Sequence, residues 1–466
     1  MARTHNPGAE PPTASRFDDF AELARRRAAG EFVLLPRHLP PEDRRLYVRQ
    51  TLREDHAQRI HKRPEGAEAK FEKLAGSVYS YFRGTCLLFY RDMAGEDAWM
   101  PTVLTLGDVH PENYGVMPSE DNTPIFDVND FDEAYYAPFT WDLKRGAVGF
   151  MIAAGEEGIG DSHLPKIAKH FLEGYLEGLR GFEQEGREMH YQHRIDNSPK
   201  LIRKLLEDAQ RDRDEWLEKY VDPKTRRFEA SKKIVPLPSR VGEFQAIVDA
   251  YVQRNGLDRL PSRAGELKVI DVAARKGSGT ASLGLPRYWV LLDGPSGDGS
   301  DDLILEMKRA RRSALAGLAP PSQKQMDGEA DRVVNAQAVQ LAGGDPFYGK
   351  AEIDGQSFLV RERSPFKEEI DISDLSKKKW KKYARICGTT LAQAHALSDL
   401  EADVDADGSP GGVERRVLAA VGEDELFIDD ILRFAHVTVD RIYADHEAFV
   451  KDWELGALRF VDRVFV

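Results

Sequence analysis

Apolar residues follow two different periods along this chain, and each period predicts a different kind of element. Short apolar runs bounded by Gly, Pro or Asp predict strands at 103–106, 124–126, 267–275, 287–292, 303–307 and 357–363. Apolar residues at helical spacing, or dense apolar stretches of helical length, predict helices at 141–154, 164–182, 323–341, 383–397, 423–446 and 447–463. The run 86–90 fits either a strand or a buried helical turn. Together these elements predict an α+β fold.

Changes in this pattern divide the chain into regions. The first 15 residues are rich in Pro and polar residues and lack an apolar core, which predicts a disordered tail. Residues 195–260 alternate charged clusters with short apolar groups, which predicts surface helices. A mainly helical N-terminal region follows at 16–100, and a largely helical central region at 101–260. A β-rich region occupies 261–372, and a C-terminal group of helices occupies 373–466.

The overall composition is that of a globular protein, with 41% hydrophobic and 31% charged residues in a chain of 466. A net charge of −13 argues against a general nucleic-acid surface, which needs a basic excess. The two cysteines, Cys86 and Cys387, are too few for a disulfide framework or a four-ligand zinc site. No apolar run is long enough to cross a membrane, and the first residues lack the core of a secretion signal. We therefore expect a cytoplasmic protein with neither nucleic acid nor membrane as a partner.

The residues with the clearest chemistry follow two of the predicted strands. Asp108 lies five residues before Asn113, and a second acidic cluster holds Asp127, Asp130 and Asp132. Magnesium-dependent phosphoryl transfer needs one carboxylate that accepts the proton of the attacking hydroxyl. It also needs an amide oxygen and a second carboxylate that hold magnesium on the nucleotide phosphates. Clustered carboxylates repel one another unless cations are present, which independently favours magnesium at this place.

The spacing resembles the catalytic and metal loops of the aminoglycoside phosphotransferases and choline kinases, a branch of the protein-kinase-like superfamily. Those loops read Gly-Asp-x-His-x-x-Asn and, further on, Asp-Phe/Trp-x-x-Ala. The resemblance implies that Asp108 is the catalytic base and that Asn113 and Asp130 bind magnesium. Asp127 and Asp132 are further candidates that would share the metal or position an acceptor. The resemblance also implies that Asp142, in a Trp-Asp-Leu sequence, braces the catalytic loop.

A second set of candidate residues comes much later in the chain. A glycine-rich turn between two predicted strands offers backbone N–H groups to phosphates, at Gly277, Gly279, Ser282 and Gly284. A plain β-hairpin turn is the alternative for those glycines. Lys308 ends the third predicted strand of this region and would pair with the phosphates. Glu329 on the following helix would orient Lys308, with Asp327 and Asp331 as alternatives. The strand 357–363 would lead to a hinge that contacts an adenine base.

The two sets stand in the reverse of the order found in ordinary kinases, where the glycine loop and lysine come first. Two explanations fit this order. The fold could be circularly permuted, with the helix at 383–397 packing beside the loop at 106–113. Alternatively, residues 66–100 supply a different upper lobe. We favour permutation because all the parts are present in cyclic order. The prediction is a two-lobed, kinase-like, circularly permuted fold with extra helices at both ends.

The whole pattern resembles an uncharacterised bacterial family, domain of unknown function 2252. The shared motifs lie at Phe82–Gly84, Gly107–Asn113, Asn129–Glu133, Trp141–Arg145, Ser282–Gly284, Lys308 and Ala392–Ala396. The match is loose at Phe82, which has no residue between it and Arg83, and the chain departs from the family at the glycine turn. The resemblance strengthens the fold prediction and says little about the acceptor.

The functional hypothesis is therefore an ATP- and magnesium-dependent phosphotransferase acting on an unknown acceptor, with a small molecule as the expected class. The acidic composition fits a cationic acceptor. Transfer of AMP from a reversed nucleotide and a nucleotide-binding pseudokinase are the alternatives. Dinuclear metallophosphoesterases also use Gly-Asp-x-His, but they need Asn-His and His-x-His elements that this chain lacks.

Overall fold

The computed structural model describes residues 15–257, 265–276, 285–322, 326, 328–398 and 412–459. In these ranges the helices are α1 (Phe17–Ala28), α2 (Pro41–Asp55), α3 (Ala57–Lys62), α4 (Pro64–Ala75), α5 (Val78–Gly84), α6 (Cys86–Arg91), α7 (Phe139–Glu156), α8 (Leu164–Glu185), α9 (Lys200–Asp208), α10 (Arg213–Leu217), α11 (Val241–Asn255), α12 (Ala330–Gln340), α13 (Lys377–Ala396), α14 (Val413–Val421) and α15 (Asp424–Glu454). The strands are β1 (Thr102–Thr105), β2 (Tyr114–Pro118), β3 (Pro124–Val128), β4 (Tyr135–Pro138), β5 (Val221–Asp222), β6 (Arg227–Phe228), β7 (Ile234–Pro236), β8 (Val269–Arg275), β9 (Arg287–Leu292), β10 (Leu303–Arg309), β11 (Gly349–Ile353), β12 (Gln356–Glu362) and β13 (Glu368–Glu369). The α+β class is confirmed.

Six antiparallel strands form the largest sheet of the described residues, in the order β11-β12-β10-β9-β8-β7. Side chains of its central strand β10 alternate between the two faces of the sheet. Leu305 and Met307 lie in one apolar cluster with side chains of α11, whereas Ile304 lies in a second cluster. Lys308 falls on the same face as Ile304 by this alternation. The position of Lys308 on β10 thus determines the face of the sheet from which its side chain projects.

Helices α7, α8 and α13 form the centre of the helical part. The dense apolar stretch at 141–154 predicts a buried helix, and α7 is buried on nearly all sides. Helix α8 carries a proline in its first turn and ends at Gly186, whose φ is 58°. A Cβ atom on Gly388 of α13 would lie 2.0 Å from the carbonyl oxygen of Phe171 in α8. Glycine at position 388 therefore permits the close approach of these two helices.

Two predictions of secondary structure are wrong. A single helix, α15, replaces the two predicted at 423–446 and 447–463. Its apolar face continues across the expected break, since Ile442 and Phe449 are both buried. The region 195–260 contains the strands β5, β6 and β7 besides helices, and β7 joins the large sheet. The run 86–90, open between strand and helix, lies in α6.

Two further features of composition can be checked against the described residues. Within those ranges, no helix is both long enough and apolar enough to cross a bilayer. The thiols of Cys86 and Cys387 are buried and form no disulfide. Both cysteines therefore belong to the packing of the helical part.

Candidate functional site

Two segments carry the residues singled out by the sequence. The Gly-Asp loop, residues 106–113, follows β1, and the acidic segment, residues 127–134, runs from the end of β3 to the start of β4. The segments touch at Gly107, whose φ is 75°, and a Cβ there would lie 2.3 Å from the carbonyl oxygen of Glu133. Glycine is required at this position both for the backbone angle and for the contact.

Asp142 of α7 holds the start of the Gly-Asp loop, as the sequence predicts. Its carboxylate accepts hydrogen bonds from the backbone N–H of Leu106 at 2.6 Å and of Gly107 at 2.9 Å. The Nε2 of His395 in α13 lies 3.1 Å from the same carboxylate, and His395 Nδ1 lies 2.9 Å from the hydroxyl of Tyr175. A carboxylate only accepts, so Nε2 carries the proton and Nδ1 accepts from the tyrosine. The helix carrying His395 therefore packs against this loop, as expected.

Asp108 is held by a buried arginine, Arg145, which the sequence interpretation placed in a shared motif without assigning it a role. Arg145 Nε donates to Asp108 Oδ1 at 2.8 Å, and Arg145 Nη2 donates to the same atom. The guanidinium is fully buried and lies over the rings of Phe82 and Phe89, at 4.2 and 4.9 Å from their centroids. Burial raises the pKa of Asp108 and Arg145 opposes the rise, leaving the pKa above its ordinary value. The spacing of Arg145, one helical turn after Asp142, is the signal that could have identified it.

Asn113 connects the two segments through hydrogen bonds of its side chain and its backbone. Its Nδ2 donates to the carbonyl oxygen of Asp108 at 2.6 Å. This bond uses the nitrogen of the amide and leaves the amide oxygen to bind a cation. The backbone carbonyl of Asn113 accepts a hydrogen bond from the N–H of Asn129 at 3.1 Å. Asn113 thus fixes the loop and faces the acidic segment at once.

Asp127 and Asp130 differ in their surroundings. Asp127 is buried, accepts a hydrogen bond from the N–H of Val128 at 2.7 Å, and has its pKa raised to about 7 by burial. Asp130 is more exposed, and its Oδ1 accepts from the N–H of Asp132 at 3.1 Å. Among the described residues no three His, Cys, Asp or Glu side chains lie together as a metal cage. Magnesium on a nucleotide takes only one or two protein ligands besides phosphates and water, so Asn113 and Asp130 fit such an ion.

Lys308 reaches this site, but its partner is not the one predicted. Lys308 Nζ forms an ion pair with Asp132, which lies in the acidic segment. Glu329 instead pairs with Arg309, whose Nη1 donates to it at 2.5 Å. Because neighbouring residues of β10 point to opposite faces, Glu329 meets residue 309 and cannot meet residue 308.

The remaining predicted nucleotide-binding residues have different outcomes. Asp331, an alternative partner for Lys308, pairs with Lys350. Asp327, the other alternative, lies outside the described residues. Also outside them are the glycine-turn candidates Gly277, Gly279, Ser282 and Gly284. These residues therefore stay predictions.

A second buried arginine, Arg332 of α12, supports the acidic segment and was missed in the sequence. Its Nη1 donates to the carbonyl oxygen of Ala134 at 2.6 Å, and its Nη2 donates to that of Asp132 at 2.5 Å. Nη2 also lies 3.1 Å from the carbonyl oxygen of Arg311. The sequence does offer one indication of Arg332: a charged residue next to the apolar Val333 in a predicted helix. Helix α12 was expected to supply an acidic partner to Lys308. It instead supplies Arg332 to the acidic segment.

A narrow slot opens between the large sheet and the sheet β13-β2-β3. The chain passes from β12 to β13 through residues 363–367, and this connection forms one wall of the slot. Phe131 and Tyr348, with ring centroids 6.3 Å apart, contribute apolar surface. Other lining residues come from β2 and α12, among them Val116, Gln337 and Leu341. The slot thus combines apolar side chains with polar and charged ones.

Comparison with protein families gives one match. A family model described as an uncharacterised protein conserved in bacteria, domain of unknown function 2252, matches residues 62–452. The chain belongs to this family. The match includes the Gly-Asp loop, the acidic segment, Lys308 and most of α15, so it extends beyond the motifs visible in the sequence. No curated protein and no solved structure matches the chain.

Proposed function

We propose that this protein is an ATP- and magnesium-dependent phosphotransferase with a circularly permuted, kinase-like fold. The observation that carries the proposal is the pairing of Lys308 with Asp132, 176 residues apart in the sequence. It brings the lysine of the large sheet to the segment that holds Asp130, beside Asn113 and Asp108. Phosphoryl transfer requires this combination of lysine, carboxylates and amide in one place.

The order of elements in the large sheet supports the kinase-like fold. In protein kinases a glycine-rich loop covers the phosphates, and the lysine lies on the third strand. Here β8 and β9 flank residues 276–286, and Lys308 lies on β10, the next strand. Helix α12, β11 and β12 follow, and then the connection to β13.

The packing of α13 supports the permutation. This helix follows the sheet in the sequence, yet it lies against the Gly-Asp loop, which precedes the sheet. The hydroxyl of Tyr383 donates to the carbonyl oxygen of Pro111 at 2.5 Å, and His395 contacts Asp142. Joining α13 to the Gly-Asp loop and opening the chain elsewhere would restore the ordinary kinase order.

The proposed reaction gives each residue a distinct task. Asp108 Oδ1 is engaged by Arg145, so Oδ2 is the oxygen that accepts the proton of the acceptor hydroxyl. Lys308 would neutralise phosphate charge, and the oxygens of Asn113 and Asp130 would hold magnesium. Magnesium held there would supply positive charge close to the phosphoryl group that is transferred. The slot beside residues 363–367, which Phe131 and Tyr348 help to line, is the place that we propose for the nucleotide base.

The experiment that tests the proposal follows the α and the γ phosphorus of ATP separately. The protein is incubated with magnesium and ATP labelled at the γ or the α phosphorus, together with pools of candidate acceptors. We expect the γ label to move to an acceptor or to water while the α label stays on the nucleotide. Transfer of the α label to an acceptor would establish AMP transfer instead. Release of neither label, despite nucleotide binding, would establish a pseudokinase.

A further inference from the structure

The face of the large sheet that carries Lys308 toward the acidic segment carries other charged side chains too. Glu306 lies two residues before Lys308 on β10, so both side chains project from the same face. Arg361 of β12 lies opposite Glu306, and Arg287 of β9 lies opposite Lys308, so the two arginines share that face. Among these four residues, the proposed reaction gives a task to Lys308 alone.

Glu306 holds the guanidinium of Arg361 by one edge. The side chain of Glu306 is only 2% exposed, and its Oε2 accepts from Arg361 Nε at 3.2 Å and from Arg361 Nη2 at 3.0 Å. Its Oε1 accepts from Arg287 Nη1 at 3.2 Å and from Trp289 Nε1 at 3.3 Å. Turning the guanidinium of Arg361 away would leave a buried carboxylate oxygen without its donors, which is costly. The orientation of Arg361 is therefore fixed.

The other edge of this guanidinium is left for a ligand. Arg361 Nη1 forms no hydrogen bond with the described residues, and the side chain is 22% exposed. Arg361 lines the slot beside residues 363–367, together with Asn129 and Phe131, the two neighbours of Asp130 in the acidic segment. Arg361 thus brings a fixed positive charge to the slot that we propose for the nucleotide base, close to the segment that we propose for magnesium.

The position of Arg361 along the sheet lies between the slot and Lys308. Arg361 is two residues before the connection 363–367, whereas Lys308 lies opposite Leu359, two residues further from that connection. Residues at such diagonal positions of neighbouring strands are about 7–8 Å apart, so the two cations can contact different phosphates of one chain. A nucleotide runs from its base through the ribose to the phosphates. With the base in the slot, the phosphate nearest the ribose comes first to Arg361.

The chemistry of a guanidinium agrees with this placement. Arginine forms short, charge-assisted hydrogen bonds with phosphate oxygens, and an arginine whose orientation is already fixed loses little freedom on binding. We propose that Arg361 binds the phosphate nearest the ribose of the nucleotide. Lys308 then contacts phosphates further along the chain. This inference rests on the proposed phosphotransferase function and adds to it a phosphate contact that does not require magnesium.

The test compares the binding of AMP and of adenosine without magnesium, by isothermal titration calorimetry. The two ligands differ only in the phosphate, so the ratio of their dissociation constants isolates the contacts of that phosphate from those of the base and ribose. We expect the wild type to bind AMP about 10–100-fold more tightly than adenosine, as a hydrogen bond between charged groups provides. Equal binding of AMP and adenosine by the wild type would overturn the proposal without the need for a variant.

Arg361→Met and Arg226→Met form a matched pair of variants. Arg226 also binds a buried carboxylate, that of Asp302, and its side chain is 22% exposed, like that of Arg361. Arg361→Met should lower the ratio of the dissociation constants by about tenfold, whereas Arg226→Met should keep the wild-type ratio. An unchanged ratio in Arg361→Met would overturn the proposal. Equal weakening of AMP and adenosine would also overturn it, because Arg361 would then support the slot and not the phosphate.

A milder variant covers the case in which Arg361→Met does not fold. Arg361→Lys keeps a positive charge beside Glu306 but has one nitrogen in place of the two edges of the guanidinium. The ratio should fall in this variant too, and an unchanged ratio would overturn the proposal.

Binding of ATP with magnesium, measured on the same proteins, separates this inference from the proposed function. Magnesium-dependent binding of ATP, combined with an unchanged ratio in the Arg361 variants, would remove Arg361 from the site and keep the proposed function. If the wild type bound none of adenosine, AMP and ATP, both would be contradicted.

Discussion

The Gly-Asp loop and the acidic segment each depend on one buried arginine, but the two arginines bind different atoms. Arg145 binds the carboxylate of Asp108 and neutralises the charge of the proposed base. Arg332 binds backbone carbonyls of the acidic segment and leaves its carboxylates to other cations. One of those carboxylates, Asp132, is taken by Lys308, and Asp130 is proposed for magnesium. The protein thus fixes the side chain of the proposed base and leaves the proposed metal-binding carboxylate of Asp130 for a ligand.

The largest effect should come from removing the base while keeping its contact with Arg145. Asp108→Asn retains an oxygen that can accept from the guanidinium, so the loop keeps its position. We expect ATP turnover to fall by about 10²–10⁴-fold, since a general base contributes that much. Stabilisation by ATP and magnesium should persist in a thermal-unfolding assay. Exposed Glu120, changed to Gln, is the control. Turnover by Asp108→Asn at the wild-type rate would remove Asp108 from the reaction.

Removing Arg145 should destabilise the fold more than removing a surface arginine. Arg145→Met leaves the carboxylate of Asp108 buried beside apolar rings without its partner. We expect a loss of about 3–5 kcal/mol in the free energy of unfolding, measured with urea. Arg433 is the control, because it forms exposed ion pairs with Asp429 and Asp430. Arg433→Met should cost less than about 1 kcal/mol. Similar losses in both variants would contradict the assigned role of the Arg145 pair.

Removing Arg332 should cost less, because it takes donors from carbonyl groups and leaves no charge unpaired. We expect Arg332→Met to lose about 2–3 kcal/mol in the free energy of unfolding. The same variant should weaken stabilisation by ATP and magnesium, because the acidic segment loses its support. Arg145→Met, if it folds, should keep more of this nucleotide-dependent stabilisation. If ATP and magnesium stabilised Arg145→Met less than Arg332→Met, the proposed difference between the two arginines would be wrong.

The smallest of these effects is a pH dependence of the free energy of unfolding, caused by a histidine beside β3. His193 is buried, its carbonyl accepts from the N–H of Phe126 in β3, and burial lowers its pKa to about 4. The unfolded chain binds a proton near pH 6.5, so the stability from neutral His193 is present above that pH and lost toward pH 4. Wild type should lose about 2 kcal/mol relative to His193→Gln between pH 7 and pH 5. Parallel stability curves in urea titrations would show that His193 titrates normally.

Local patterns predicted much of the fold and part of the site. The strand periods at 287–292 and 303–307 and the buried helix at 141–154 are visible because burial imposes an apolar pattern on consecutive residues. The contact of Asp142 with the Gly-Asp loop was expected from a motif. Strands β5, β6 and β13 were missed because two residues each are too few to show a period.

Long-range pairing could not be predicted in the same way. The sequence shows that Lys308 and Glu329 each carry a charge, but only the three-dimensional arrangement selects Asp132 and Arg309 as their partners. The lining of one cavity is a second example. Arg59, Lys70 and Arg311 lie in separate elements and share no local spacing, so no motif joins them.

The central claim is tested most directly by thermal unfolding of the wild type and Asp130→Ala. Each protein is measured with ATP and magnesium, with ATP and a chelator, and with neither. The account predicts a rise of on the order of 2–3 °C for the wild type with ATP and magnesium near saturation. The rise should disappear with the chelator and in Asp130→Ala. No stabilisation of the wild type by ATP and magnesium, or an equal rise in Asp130→Ala, would contradict the proposed nucleotide site.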